Sequence, residues 1–390
     1  MPSPSPFTIA VPDDKLALLR KKLELTTWPD ELEDAGTDYG APLSFVKRLA
    51  KRWQDGYDWR AQEAAINAEL PQFTTDVKVE GHGTINIHFV HKKSAAGAAI
   101  PLLFVHGWPG SFLEARKITP LLTEASEDYP SFHVIAVSLP GYGFSEAPKK
   151  RGFGLPEYAE ACHAVMTSLG YGQYVVQGGD WGMSVARVLA SKYGPSSVKA
   201  WHTNFPLGAG RWAKTNEFRQ KEMAYAMLQG TKPQTIAYAL TDSPVGLLAW
   251  IADKITAWTD DIHGLMMRVS PLSPNMLGMP HYGRHSGSDL GVVYWFSRAG
   301  PAATFRTYYE AMQRKGLGSI YNLVPSPPTI PLGFVLPARD IEISQSMGNV
   351  VFEADHQKGG HFAAYEVPEL LVGDLRRMFG KGGPAFEAMK

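Results

Sequence analysis

The sequence predicts an α/β fold, a mostly parallel sheet that carries a helical N-terminal extension and is interrupted by a helical insertion. Three observations predict it. Short β-branched runs, each stopping at glycine or proline, recur between residues 76 and 205. Helical segments separate the later runs, the rhythm of strand-helix-strand units in a parallel sheet. That rhythm then lapses over 206–310, where the chain reads as helices rich in Trp, Tyr and Met, and returns in two strands and a helix near the C-terminus.

In chain order, "PDDKLALLRKKLEL" opens with proline and acids and places Leu16, Leu18, Leu19 and Leu23 at helical spacing. "SFVKRLAKRWQ" and "DWRAQEAAINAEL" follow as further helices, so 1–75 reads as a mostly helical extension. "TINIHFVHKK", "IPLLFVHG", "FHVIAVSLPG" and "YVVQGGD" are the strands of the first core part, 76–205. The helical insertion covers 206–310. The second core part, 311–390, holds the strands "PLGFVLPARD" and "VVFEAD" and a helix at "PELLVGDLRRMF".

Composition removes several function classes. The chain has 390 residues, 44% hydrophobic and 19% charged, enough apolar material for a large core. Lys+Arg and Asp+Glu both number 38, so nothing points to nucleic acid or an anionic membrane. A single cysteine, Cys162, precludes an intrachain disulfide and fits a reducing compartment. The N-terminal stretch lacks the basic and apolar regions of a secretion signal, and no run of about 18 apolar residues occurs. A cytoplasmic protein with no membrane span is therefore expected. No HExxH, Cys/His or GxxxxGK[ST] spacing is present, so neither a metal nor another cofactor is expected.

The chemistry lies where strands end, since open α/β sheets bind ligands at the carboxyl ends of their strands. "VVQGGDWGMSVARVLASKYG" (175–194) passes from a β-branched run through glycines into a helix. Gly178 and Gly182 flank Asp180 as the glycines of Gly-x-Ser-x-Gly flank a nucleophilic serine on a sharp strand-to-helix turn. Asp180 reads either as a helix cap or as a nucleophile. A carboxylate, with an ordinary pKa of about 4, needs no base to attack. Attack on a carbonyl would give an anhydride, whereas attack on a strained or activated saturated carbon gives an ester that water can cleave.

"FVHGWPGSF" (104–112) supplies a loop whose Trp108 N–H, with the Trp181 N–H, would hold the oxyanion of ester hydrolysis. "KGGHFAAYEVPELL" (358–371) places His361, one of twelve histidines, after a glycine pair in the last strand-helix connection, where a general base belongs. "FVLPARDIEI" (334–343) offers Asp340 as its orienting acid, with Glu342 as the fallback. The chain order Asp, acid, His follows the order Ser, Asp/Glu, His of the α/β-hydrolases.

These residues resemble the epoxide hydrolases among the α/β-hydrolases, in particular the microsomal-type and fungal branch with its helical N-terminal extension. The resemblance spans almost the whole chain. "TTWPDE", "DYGAPLSFVKRLAKRWQDGYDWRAQEAAIN" and "PQFTT" resemble the extension, which in the family wraps the core and supports a lid. "HGWPGSF", "LPGYGFSEAP", "GGDWGMSVAR" and "GGHFAAYEVPELL" resemble the core motifs, although "GYGFS" alone is shared with many α/β-hydrolases. The resemblance implies that 206–310 is the lid and that two of its tyrosines face the epoxide oxygen. They fall on Tyr225, in the stretch 224–260, and on Tyr308 in "ATFRTYYEAM", with Tyr309 as the one-residue alternative. It implies a cofactor-free hydrolase acting on a small-molecule epoxide, and the fungal relatives suggest a homodimer. The branch usually carries a longer loop between acid and histidine, and often glutamate as the acid, which leaves the register of Asp340 open.

Two other readings stand beside this one. A haloalkane dehalogenase also uses an aspartate nucleophile, and Trp181 suits it, but Trp108 stands where those enzymes typically carry asparagine. A repurposed fold acting on a natural product is the other, since fold does not dictate function. The choice between detoxification and a biosynthetic step is open.

Overall fold

The computed structural model describes residues 3–206, 221–260, 287–313, 324, 326–336 and 347–389. At its centre is a nine-stranded sheet in the order β1-β2-β3-β5-β4-β6-β7-β8-β9. β1 (Ser5–Phe7), β2 (Gln72–Val79), β3 (Gly83–Lys92) and β5 (Phe132–Val137) pair antiparallel. From β5 through β4 (Ile100–Val105), β6 (Tyr174–Gly178), β7 (Val198–Thr203), β8 (Pro331–Leu336) and β9 (Asn349–Asp355) all pairings are parallel.

The central strands β4 and β6 are apolar on both faces, as strands covered by helices on either side must be. Leu102, Leu103, Val175 and Val176 are fully buried. Each such side chain contributes roughly 1.5–3 kcal/mol of burial. Because β4 and β6 are neighbours, the loop after β4 and the turn after β6 meet at one end of the sheet.

The extension forms α1 (Asp13–Glu24), α2 (Leu43–Lys51) and α3 (Trp59–Glu69), and it also supplies β1 to the sheet edge. The helical pattern before residue 75 does not predict that short strand. Three residues carry too little periodicity to announce themselves, and pairing with β2 is what orders them. The extension reaches both the core and the insertion. Glu69, at the end of α3, receives Arg116 Nη2 at 2.7 Å on Oε1, with Arg116 Nε on its other oxygen. Trp59 packs against Phe296 of the insertion at 5.3 Å between ring centroids.

The core helices are α4 (Ile118–Thr123), α5 (Leu155–Ser168) and α6 (Trp181–Tyr193). The insertion contributes α7 (Ala224–Thr231), α8 (Pro233–Asp242), α9 (Pro244–Trp258), α10 (Gly287–Trp295) and α11 (Phe305–Gln313). After β9 come α12 (Ala363–Glu366) and α13 (Pro368–Phe379). Among the described residues no single helix is long and apolar enough to cross a membrane.

Candidate active site

The turn after β6 is built by exclusion of side chains. A Cβ on Gly178 would fall 2.3 Å from the Gly182 carbonyl oxygen, and one on Gly182 would fall 1.9 Å from the Val105 carbonyl oxygen. Only glycine lets β6, α6 and the end of β4 approach this closely. Between the two glycines Asp180 adopts φ 52° and ψ −126°, a left-handed conformation that costs an L-residue energy and is found where geometry serves function. Its side chain makes no capping hydrogen bond to α6, which removes the helix-cap reading.

The Asp180 carboxylate instead faces the loop after β4. The Trp108 N–H donates to Oδ1 at 2.8 Å, and the Trp181 N–H also hydrogen-bonds this carboxylate. Both donors expected from the sequence therefore converge on Asp180. A Cβ on Gly107 would lie 2.1 Å from Asp180 Oδ1, so glycine is needed there too. The other oxygen, Oδ2, stands 3.5 Å from His361 Nε2. Burial raises the Asp180 pKa above its ordinary value, opposed by His361 and the two N–H groups.

His361 is held at both ends of its own peptide units. Its N–H donates to the Trp258 carbonyl at 2.9 Å, and its carbonyl accepts from Asn204 Nδ2 at 3.3 Å. Asn204 follows β7 and itself accepts from Gln177 Nε2 at 2.8 Å. Phe205, Trp258 and Phe362 surround the ring, with centroids 4.8–4.9 Å away. Burial pushes the imidazole below its ordinary value and the Asp180 charge offsets part of that, so the neutral, basic form is favoured. Asp340 and Glu342, the acids expected to orient His361, lie outside the described residues.

The insertion closes the other side. α7 and α11 cross closely, because Gly230 sits where any Cβ would strike Met312 Sδ, 1.8 Å away. Thr307 sets the rotation of α11, its Oγ1 lying 2.8 Å from Tyr158 Oη and accepting from Tyr142 Oη at 3.3 Å. At the helical angle between neighbours, Tyr308 then turns toward Asp180 and Tyr309 turns away. Tyr308 is 2% exposed and meets Trp181 edge-on at 4.8 Å and Tyr225 at 5.7 Å. The Tyr309 hydroxyl instead accepts from Arg151 Nη2 at 3.4 Å. Tyr225 stacks on Trp108 at 5.0 Å, with 12° between the planes. The Tyr308 hydroxyl and Trp181 Nε1 are buried without a hydrogen bond of normal geometry among the described residues. Burial, with the Asp180 charge adding to it, holds both phenols above their ordinary range and hence protonated.

Two further residues belong to this surround. Trp258 touches His361, Tyr225 and Trp108 at once. Nothing in "AWTD" singles it out, because its role is made by contacts remote in sequence. Glu114 lies behind the loop after β4, its Oε1 lying 1.7 Å from where a Gly110 Cβ would be. Burial first, and the Asp180 charge second, push its carboxyl up to about 8. The only sequence signal was its place five residues after Pro109.

A parallel sheet entered by antiparallel strands, with an acid on the turn after β6 and a histidine after β9, defines an α/β-hydrolase. Residues 100–239 match the model of the alpha/beta hydrolase fold, and residues 4–115 match that of the epoxide hydrolase N terminus. The chain is 32% identical to epoxide hydrolase 1 of Sus scrofa, over 96% of this chain and 88% of that one. The structure of Aspergillus niger epoxide hydrolase is similar with a TM-score of 0.76 and 32% identity, covering 96% and 95% of the two chains. That of the juvenile hormone epoxide hydrolase of Bombyx mori is similar with a TM-score of 0.77 and 27% identity, covering 96% and 92%. The chain belongs to the epoxide hydrolase family and is an epoxide hydrolase.

Proposed function

We propose that the chain opens an epoxide to a vicinal diol through an ester on Asp180. The reading rests on one observation above all: the two oxygens of Asp180 face different partners. Oδ1 accepts from the Trp108 N–H, while Oδ2 faces His361, and the Trp181 N–H also hydrogen-bonds the carboxylate. Oδ2 attacks one ring carbon from behind, forming the C–O ester bond as the ring C–O bond breaks. Tyr225 and Tyr308 hydrogen-bond the departing oxygen and one of them protonates it, stabilisation that strengthens as charge develops.

Oδ1 then becomes the ester carbonyl oxygen, already seated on the Trp108 N–H. His361 takes a proton from water, which adds to the Asp180 carbonyl carbon. The two N–H groups hold the resulting oxyanion until the acyl bond breaks; protonated His361 gives its proton to the departing Oδ2, the diol leaves, and the proton of the regenerated carboxyl returns to the tyrosine. Asp340 is the residue proposed to orient His361. The walls about Asp180 are aromatic, from Trp108, Trp181, Trp258, Tyr225 and Tyr308, which favours an apolar epoxide.

One observation keeps a second substrate class in the test. Trp108 Nε1 and Trp181 Nε1 are buried donors with no hydrogen bond of normal geometry among the described residues, and a halide leaving group would suit them. Replacement His361→Gln leaves Asp180 able to attack but removes the base for hydrolysis. An ester should accumulate and be visible by intact mass. Epoxide opening expels nothing, so the protein should gain the full mass of the epoxide; a haloalkane would add its mass less hydrogen halide. Adducts from haloalkanes and none from any epoxide would overturn the reading.

A further inference from the structure

The loop that carries His361 is fastened to the end of lid helix α9 more firmly than one backbone bond would require. Besides the bond from the His361 N–H to the Trp258 carbonyl, the Gly359 N–H donates to Asp260 Oδ2 at 2.8 Å. In the opposite direction, the Asp260 N–H donates to Glu366 Oε2 at 2.9 Å. Glu366 Oε1 accepts from the Phe362 N–H at 3.0 Å, and the Gly360 N–H also hydrogen-bonds this carboxylate. A Cβ on Gly360 would fall 2.6 Å from the Trp258 carbonyl oxygen, so the two segments touch backbone to backbone. Four consecutive amides, 359 to 362, thus find their acceptors in the lid segment 258–260 or in Glu366, which that segment also binds. Two carboxylates this near each other repel, and Asp260 indeed disfavours the charge on Glu366. The arrangement holds because each carboxylate satisfies backbone donors that otherwise lack an acceptor, and hydrogen bonds to charged acceptors are the stronger kind.

We infer that Asp260 and Glu366 are positioning residues for the second half-reaction, clasping the His361 loop to the lid so that the imidazole stays over Asp180. The inference rests on the reading of His361 as the base. Neither carboxylate is placed in contact with the reacting atoms; both act through the backbone on which the ring is mounted. Trp258 extends the same link toward the first half-reaction, since its ring meets both His361 and Tyr225, 4.8 Å and 5.3 Å between centroids. The lid is in this way part of the hydrolytic machinery as well as the holder of the tyrosines.

The test follows ester formation and ester decay separately on the full chain, using styrene oxide and rapid-quench intact mass. Glu366→Gln replaces one acceptor oxygen with a donor at unchanged size. It should slow ester decay by roughly tenfold to a hundredfold, the scale of a small misplacement of a catalytic group. Ester formation should stay within roughly twofold, because Asp180 attacks without a base. Asp260→Ala should have the same split effect, and Asp260→Asn, which keeps an acceptor oxygen, should restore most of the rate. Asp260 is exposed, so its variants test the clasp even where Glu366→Gln weakens folding. Decay at the parent rate in folded Glu366→Gln and Asp260→Ala would overturn the inference, as would equal slowing of both half-reactions. His361→Gln is the control: if it accumulates ester while the clasp variants do not, only the clasp falls. If it accumulates none, the reading of His361 falls as well.

Discussion

Around Asp180 the chain comes so close to itself that side chains are shut out, and Gly107, Gly178 and Gly182 each sit where a Cβ would strike another part of the turn. The two donors on its carboxylate are backbone N–H groups. Around His361 the opposite holds. The loop there is fastened largely by side chains, Asn204, Asp260 and Glu366, whose partners lie up to 157 residues away in sequence. The tyrosine side is similar, since Tyr308 owes its aim to a Thr307 bonded to Tyr158 across 149 residues. The nucleophile is therefore held by steric necessity within adjacent strands, and the groups that serve it are held by long-range polar contacts. A backbone-built turn cannot drift without breaking the sheet. A side-chain clasp can be tuned one residue at a time.

The sharpest way to break this comparison is to remove the nucleophile while leaving its turn intact. Asp180→Asn keeps the shape and both backbone donors but loses the negative charge. Activity should fall by orders of magnitude, with Tm close to the parent value. A single turnover of the parent in heavy-oxygen water should place label in Asp180 and none in the diol, because water attacks the Asp180 carbonyl. Label in the first-turnover diol would mean that water attacks the epoxide directly, and the division of labour between the two sides would fail.

Next in size is the lid. Tyr225→Phe or Tyr308→Phe removes one hydrogen bond to the developing alkoxide and should slow ester formation by roughly 10²–10³, by analogy with a lost oxyanion donor. Tyr309→Phe, which loses only a bond to Arg151, should stay within roughly twofold. Stopped-flow measurement of alkylation separates the three. A crippled Tyr309→Phe beside a silent Tyr308→Phe would mean that Thr307 does not set the register of α11.

The same contrast explains what could be read from the sequence. Strands β4, β5 and β6 announce themselves because each is a β-branched run closed by glycine or proline, and the glycines about Asp180 are local necessities visible as letters. The family resemblance supplied the tyrosines, which no local rule selects from sixteen. β7, "VKAWHT", carries no such signature, since its polar Lys199, His202 and Thr203 interrupt the apolar pattern and its place in the sheet comes from β6 and β8. Trp258, Asn204 and Glu366 were equally silent. Their roles exist only once Asn204 and the segment 258–260 have met the loop after β9, and no spacing within any of these segments encodes that meeting.

The smallest expected effect is in the pH dependence, and it bears on the side-chain half of the site. Burial lowers the His361 pKa and the Asp180 charge raises it, with burial the larger influence. When Asp180 becomes an ester its charge is gone, so the raising influence vanishes and the imidazole moves further down. Because the neutral ring is the base, hydrolysis is lost as pH falls through that lowered pKa and is retained above it. The acid limb of ester decay should therefore have its midpoint below the ordinary histidine value of about 6.5, and lower than the midpoint for His361 in the free enzyme. Tyr225 and Tyr308, held above their ordinary range, remain protonated and should cause no alkaline loss below about pH 10. Single-turnover ester decay across pH, beside NMR titration of His361 in the free enzyme, measures both midpoints. An ester-decay midpoint above the ordinary value would show that a carboxylate outweighs burial at His361. Asp340→Asn would then test whether that residue is the carboxylate, because loss of its charge should return the midpoint below about 6.5.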